Sequence, residues 1–233
     1  MKKLAVLLLL VACSQESSEV VESTSRPVDK TETSTTEAPP PAAPAVTGPK
    51  LAFVDEAAKD PSFAEYRAKL LTAVRARDAK AVVALSDPHI RTSFGGDDDV
   101  TELEKVLTED LWRELEETLE LGGTFREGMF WAPYVYSAWP DTHDSFETLA
   151  VIADDVPLRA SADRNAPAIA TLSHDLVTRA SQPGEGGSWQ KVTLADGRNG
   201  FVEAKYLRSP VDYRAGFSKG ADGWRMTAFV AGD

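Results

Sequence analysis

The hydrophobic period of the chain changes at Gly122-Gly123, and that change limits the fold more than any other feature. Upstream, Phe63, Tyr66, Leu70, Leu71 and Val74 recur at helical spacing behind Asp60-Pro61, a capping residue followed by proline at the first helical position. Asp78 can cap a second short helix carrying Val82, Val83 and Leu85, which Asp87-Pro88 ends. Thr108 opens another, with Leu111, Trp112, Leu115 and Leu119 inward and Glu109, Glu114, Glu116, Glu117 and Glu120 mostly on a solvated outer side. Downstream of the glycines, "TFREGMFWAPYVYSAWP" is aromatic and β-branched and suits strands. Short runs separated by turn signals follow. The expected class is therefore α+β, a helical region followed by strands.

Between the helices lies "IRTSFGGDDDV". Asp97, Asp98 and Asp99 are consecutive, whereas calcium loops place ligands at alternate positions so that they converge. Asp99 before Thr101-Glu102 makes a helix start, so capping and a charged loop are expected and no metal site. Gly95-Gly96, with no Lys-Ser/Thr behind it, is a turn rather than a phosphate loop.

The N-terminus reads Met1-Lys2-Lys3, then an apolar run from Leu4 to Val11, then Ala12-Cys13, the pattern of a secretory signal. The run is far shorter than the roughly 20 residues that span a bilayer as a helix. Leu10-Val11-Ala12-Cys13 resembles the lipobox of bacterial lipoproteins. That resemblance implies cleavage after residue 12 and a lipidated Cys13, and Ser14 after it resembles the outer-membrane sorting pattern of Gram-negative lipoproteins. Cys13 is the only cysteine, so it has no internal disulfide partner. Residues 13–50 are then a tether rich in Ser, Thr, Glu and Pro without aromatics, with a coil reach of about 35 Å.

Residues 148–208 resemble the bacterial SH3-like (SH3b) domain. Val156-Pro157-Leu158-Arg159-Ala160-Ser161 stands where that family has its first strand and long loop. Ala168 to Leu172 and Leu176 to Arg179 match the next two strands. Trp189-Gln190-Lys191-Val192 matches "W-x-K-V", Asn199-Gly200-Phe201-Val202 matches "x-G-[WF]-V", and Lys205-Tyr206-Leu207 matches the closing "x-Y-L". The resemblance implies a small all-β barrel of five to seven short strands. Trp189 is expected in the barrel core, with ligand contact as the alternative if it is exposed. Asp196-Gly197 is a hairpin signal, and Gly200 allows close backbone approach. Ala160-Ser161-Ala162 and His174-Asp175 stand where the family commonly has glycine.

Residues 209–233 carry a second hairpin. Tyr213, Ala215 and Phe217 alternate, Lys219 to Gly223 reads as a turn, and Trp224, Met226 and Ala228 alternate again. A lone hairpin is marginal, so its expected partner is the aromatic segment from Met129 to Tyr136. The barrel would then be inserted in a first domain made of residues 51–147 and 209–233.

The charge of −12 argues against nucleic acid, which needs a basic face. His89, His143 and His174 lie in unrelated segments without metal-ligand spacing, and no Gly-x-Ser-x-Gly occurs. No cofactor is expected. The reading is a noncatalytic lipoprotein on the periplasmic face of the outer membrane, anchored through its N-terminal lipid. Its SH3-like domain would bind peptidoglycan or an envelope peptide or protein. The alternative is an envelope hydrolase of unrecognised type in the helical region, with the barrel as targeting unit. Candidate ligand residues are Asp163, Arg164 and Asn165 in one loop and Glu185 in another, with Trp139 and Trp189 as aromatic contacts.

Overall fold

Asp60 begins the first helix as expected: its carboxylate accepts from the N–H groups of Ser62 and Phe63 at 2.8 and 3.1 Å. The Ser62 hydroxyl, then the Phe63 N–H and Lys219, hold that carboxyl down at about 2 although partial burial opposes them. The computed structural model describes residues 48–95, 99–180 and 187–232. Helix α1 spans Pro61–Arg75. Helix α2, Ala79–Leu85, is capped by the Asp78 carboxylate, which accepts from the Ala81 N–H. Helix α3, Val100–Val106, is capped by Asp99, which accepts from the Thr101 N–H. Helix α4 is Glu109–Glu120 behind Thr108, whose side chain makes no cap bond. Asp97 and Asp98 lie outside the described residues, among which no group of three potential metal ligands gathers.

Two sheets complete an α+β chain with five helices and twelve strands among the described residues. The first has strands β1 (Ser86–Arg91), β2 (Thr124–Arg126), β3 (Met129–Ala132), β11 (Arg214–Gly220) and β12 (Gly223–Val230), in the order β1-β12-β11-β3-β2. The expected partnership is present: β3 lies antiparallel to β11, with Ala132 opposite Ala215 and Phe130 opposite Phe217. Helix α1 packs on this sheet through Phe63, which is fully buried. Its ring centroid is 4.2 Å from that of Phe130, 4.9 Å from Trp224 and 5.4 Å from Phe217.

Four expectations for this part are corrected. The strand predicted from Met129 to Tyr136 stops at Ala132, because Pro133 has no N–H for the ladder and caps a short helix, α5 (Tyr134–Ser137). The turn predicted over Lys219 to Gly223 shrinks to Ala221-Asp222, since Gly220 and Gly223 already face each other in the ladder. Asp87-Pro88 is not a plain break after α2: it lies inside β1, which runs parallel to β12 and which its polar residues concealed. The acids of α4 are not simply solvated. Arg75 pairs with Glu116 and Glu120, Arg77 with Glu109 and Glu116, and Arg208 with Glu114 and Glu117, because α4 packs beside α1 and near the end of the second sheet.

The second sheet comprises β4 (Thr148–Val151), β5 (Val156–Arg159), β6 (Ala168–Leu172), β7 (Leu176–Arg179), β8 (Trp189–Thr193), β9 (Asn199–Glu203) and β10 (Leu207–Arg208). The order is β10-β4-β7-β8-β9-β5-β6, all antiparallel. It has its own core of Leu149, Val151, Val156, Leu158, Leu172, Val192 and Val202 with their neighbours. Among the described residues no pairing joins the two edges, so the ladder is open there and the expected closed barrel is not found. Residues 204–206 form a 3-10 turn, so the closing strand is reduced to two residues.

Several local expectations in this sheet hold. Asp196-Gly197 turns β8 into β9, with Gly197 at φ 86°. A Cβ on Gly200 would lie 2.6 Å from Leu158 Cγ and 2.8 Å from the Arg159 carbonyl oxygen. His174 adopts φ 56°, a left-handed conformation for which glycine is the usual residue. The folded body also begins slightly earlier than Leu51: the Leu176 N–H donates to the Pro49 carbonyl at 2.8 Å, and Lys50 Nζ lies 3.0 Å from the buried Asp175 carboxylate.

Candidate functional site

A cleft of about 200 Å³ opens where the chain leaves the first sheet for the second and where it returns. Its walls come from the end of β2, from α5 and the loop after it, and from the connector between β10 and β11. Tyr136, Trp139 and Phe146 supply aromatic surface, and Pro210 and Val211 close the opposite side. Arg126, Arg214 and Asp141 supply charge.

The loop is held by its own polar groups. The Trp139 indole N–H donates to the His143 carbonyl at 3.0 Å. The Asp144 carboxylate accepts from the Phe146 and Glu147 N–H groups at 2.7 and 3.0 Å. His143 and Asp144 are thus loop-forming residues. Phe146 is nevertheless 57 % exposed, an apolar ring held at the mouth of the cleft. Tyr136 is braced from behind by Trp131, edge to face at 5.4 Å. Trp131 in turn lies over Gly216, where a Cβ would approach its ring to 2.8 Å.

Arg214 sets the electrostatics of the cleft. It is only 7 % exposed, and its guanidinium carbon lies 4.9 Å from the Tyr136 ring centroid and 5.3 Å from that of Phe94. No carboxylate pairs with it among the described residues. The contrast is Arg208, 3 % exposed, which meets Glu114 and Glu117 at 3.1 Å and also donates to Thr118 Oγ1 and the Tyr213 carbonyl. Cation–π contact is worth about 2 kcal/mol when desolvated, well short of what an ion partner with hydrogen bonds returns to a buried guanidinium. The N–H groups of Arg214 are therefore free to bind an anion in the cleft.

The predicted site residues separate into two places. Trp139 lines the cleft. Asp163, Arg164 and Asn165 are exposed on the loop after β5. The Asp163 carboxylate accepts from the Asn165 N–H at 2.9 Å, which makes it a turn-forming group. Arg164 reaches Glu203 at 2.9 Å, and Glu203 stands directly across the ladder from Trp189. Glu203 is held below the usual carboxylate range by Arg164 first and also by Lys205, although partial burial opposes them. Arg164 and Trp189 thus meet around Glu203, whereas Trp139 lines a separate cleft that contains neither. Glu185 and Cys13 lie outside the described residues.

Trp189 is not a core residue. Gln190 and Val192 point inward from β8, and Trp189 is half-buried on the other face with Lys191. The two-residue alternation puts Trp189 and Val192 on opposite faces, and Val192 is the one that the core holds. Trp189→Ala is therefore expected to cost about 1 kcal/mol in urea unfolding of the full chain rather than the several of a buried tryptophan. A loss of about 3 kcal/mol would show that it is structural after all.

The cleft residues missed in the sequence are Arg126, Tyr136, Phe146 and Arg214. A signal existed: in an acidic chain, two arginines are embedded in aromatic segments, "TFREGMFW" and "DYRAGF". No protein-family model and no curated protein matches the chain.

Proposed function

We propose that the chain is a noncatalytic binding protein of the cell envelope, lipid-anchored through Cys13 at the periplasmic face of the outer membrane. Residues 148–208 act as an SH3-like module, and the partner is peptidoglycan or an envelope peptide or protein. The signal-like N-terminus and its single cysteine support the anchoring. The succession of β5 to β10 over the segments that carry the SH3-like motifs supports the module. The observation that most favours binding is the preformed cleft beside Trp139, in which aromatic rings flank a buried arginine that has no ion partner among the described residues. Concave sites where a few polar groups converge beside aromatic surface are where ligands are usually held.

Two measurements test the reading. Cys13→Ala is expected to move the protein from the membrane fraction to the soluble fraction, and its retention in the membrane fraction would refute the lipid anchor. The purified full chain is expected to co-sediment with isolated sacculi or, failing that, to capture an envelope peptide. Absence of both would remove the binding role.

A further inference from the structure

We infer that the cleft beside Trp139 recognises the free α-carboxylate at the end of a short peptide, with Arg214 as its ion partner and Arg126 as an outer second cation. The inference rests on the binding-protein reading above and specifies its ligand. Arg214 is more than nine-tenths buried and has no anion among the described residues. The rings of Tyr136 and Phe94 contact it, but π faces cannot satisfy in-plane N–H donors as a carboxylate does. A carboxylate meets the guanidinium fork edge-on through two parallel hydrogen bonds, a geometry that leaves such stacking intact.

The size and walls of the cleft narrow the choice. A cleft of about 200 Å³ suits the end of a short peptide rather than a folded partner. Trp139, Tyr136 and Phe146 offer apolar contact to the last side chain, and Asp141 offers an acceptor to a peptide N–H or amine. That carboxylate, in a chain of charge −12, also disfavours a dianion such as phosphate. The hydrogen bonds that hold residues 139–147 preorganise the wall, so little ordering accompanies binding. The same terminal carboxylate is presented by peptidoglycan stem peptides and by protein C-termini.

The test uses the ¹⁵N-labelled full chain in detergent micelles, with the Trp139 indole N–H resonance as readout. It is titrated with N-acetyl-trialanine, with the C-terminal amide of that peptide, and with a soluble muropeptide ending in a free carboxylate. The acid is expected to bind at least tenfold more tightly than the amide. Arg126→Gln, at an exposed position, should weaken the acid several-fold, and Arg214→Lys at least tenfold, since lysine keeps the charge but lacks the fork. Should Arg214→Lys fail to fold, the acid–amide comparison and Arg126→Gln decide the matter. Tighter binding of the muropeptide assigns the source to the wall, and equal binding assigns it to peptide C-termini generally. Equal affinity for acid and amide, no binding of either, or displacement of the acid by equimolar inorganic phosphate overturns the inference. If sacculi still sediment the chain in that case, the proposed function stands without it. Acid-selective binding without sedimentation keeps the inference and removes peptidoglycan as partner.

Discussion

Phe63→Ala is expected to lower the unfolding free energy by about 4 kcal/mol, among the largest losses a single truncation in this chain can cause. Phe63 has no exposed surface and sits where the face of α1 meets the first sheet. Rings from four strands converge on it: Phe125, Phe130 and Phe217 lie at 5.8, 4.2 and 5.4 Å, and Trp224 at 4.9 Å. Truncation removes the transfer free energy of a phenyl group together with ring–ring contacts worth about 0.5–1.5 kcal/mol each. The cavity cannot collapse readily, because its walls are β-ladder residues fixed by pairing between β3, β11 and β12. Urea unfolding of the full chain measures the change, and a loss below about 2 kcal/mol would mean that α1 is not pinned to the sheet through this ring.

Gly123→Ala is expected to cost on the order of 3 kcal/mol by a different route, overpacking against backbone. A Cβ at residue 123 would stand 2.1 Å from the Trp131 carbonyl oxygen and 2.8 Å from the Phe130 ring. Neither obstacle is the free end of a flexible side chain. Gly123 is also fixed from the other side: its N–H donates to the Val54 carbonyl at 3.0 Å and its carbonyl accepts from the Glu56 N–H at 2.9 Å. The residue cannot move away without breaking both bonds. Gly128 is a useful control, since a Cβ there meets nothing within 4 Å, although its φ of 79° adds a smaller strain. Gly123→Ala unfolding within about 1 kcal/mol of the parent would contradict this close approach.

The periodicities in the sequence predicted the local elements well where local physics decides them. Asp60, Asp78 and Asp99 cap helices because a short carboxylate can reach N–H groups two or three residues on, whatever lies elsewhere. Asp196-Gly197 makes its hairpin and Gly200 its close approach for equally local reasons. The place where prediction failed inside the aromatic segment is also instructive. Tyr134, Val135 and Tyr136 have strand-like side chains, yet Pro133 cannot donate to β11 and the chain turns helical to bury two of them.

The candidate site was legible only in fragments. Trp139 was recognisable as an aromatic contact, but its partners Arg126 and Arg214 are separated in the chain by the whole second sheet. They meet because β3 and β11 pair across that interruption, bringing the neighbouring chain ends together. Conversely, Asp163 and Asn165 looked like recognition groups by their polarity, and the fold uses them to make a turn.

Residue spacing by itself thus determined the class of the chain, the helix starts and most strand positions, since capping, turn geometry and hydrophobic period act over a few residues. Which strands pair, whether the seven-stranded ladder closes, and which face of β8 carries Trp189 depended on long-range packing. The same holds for the charges. Arg208 and Arg214 are equally plausible surface arginines in the sequence, and only the tertiary structure gives one of them two glutamates while leaving the other buried between rings with no anion among the described residues.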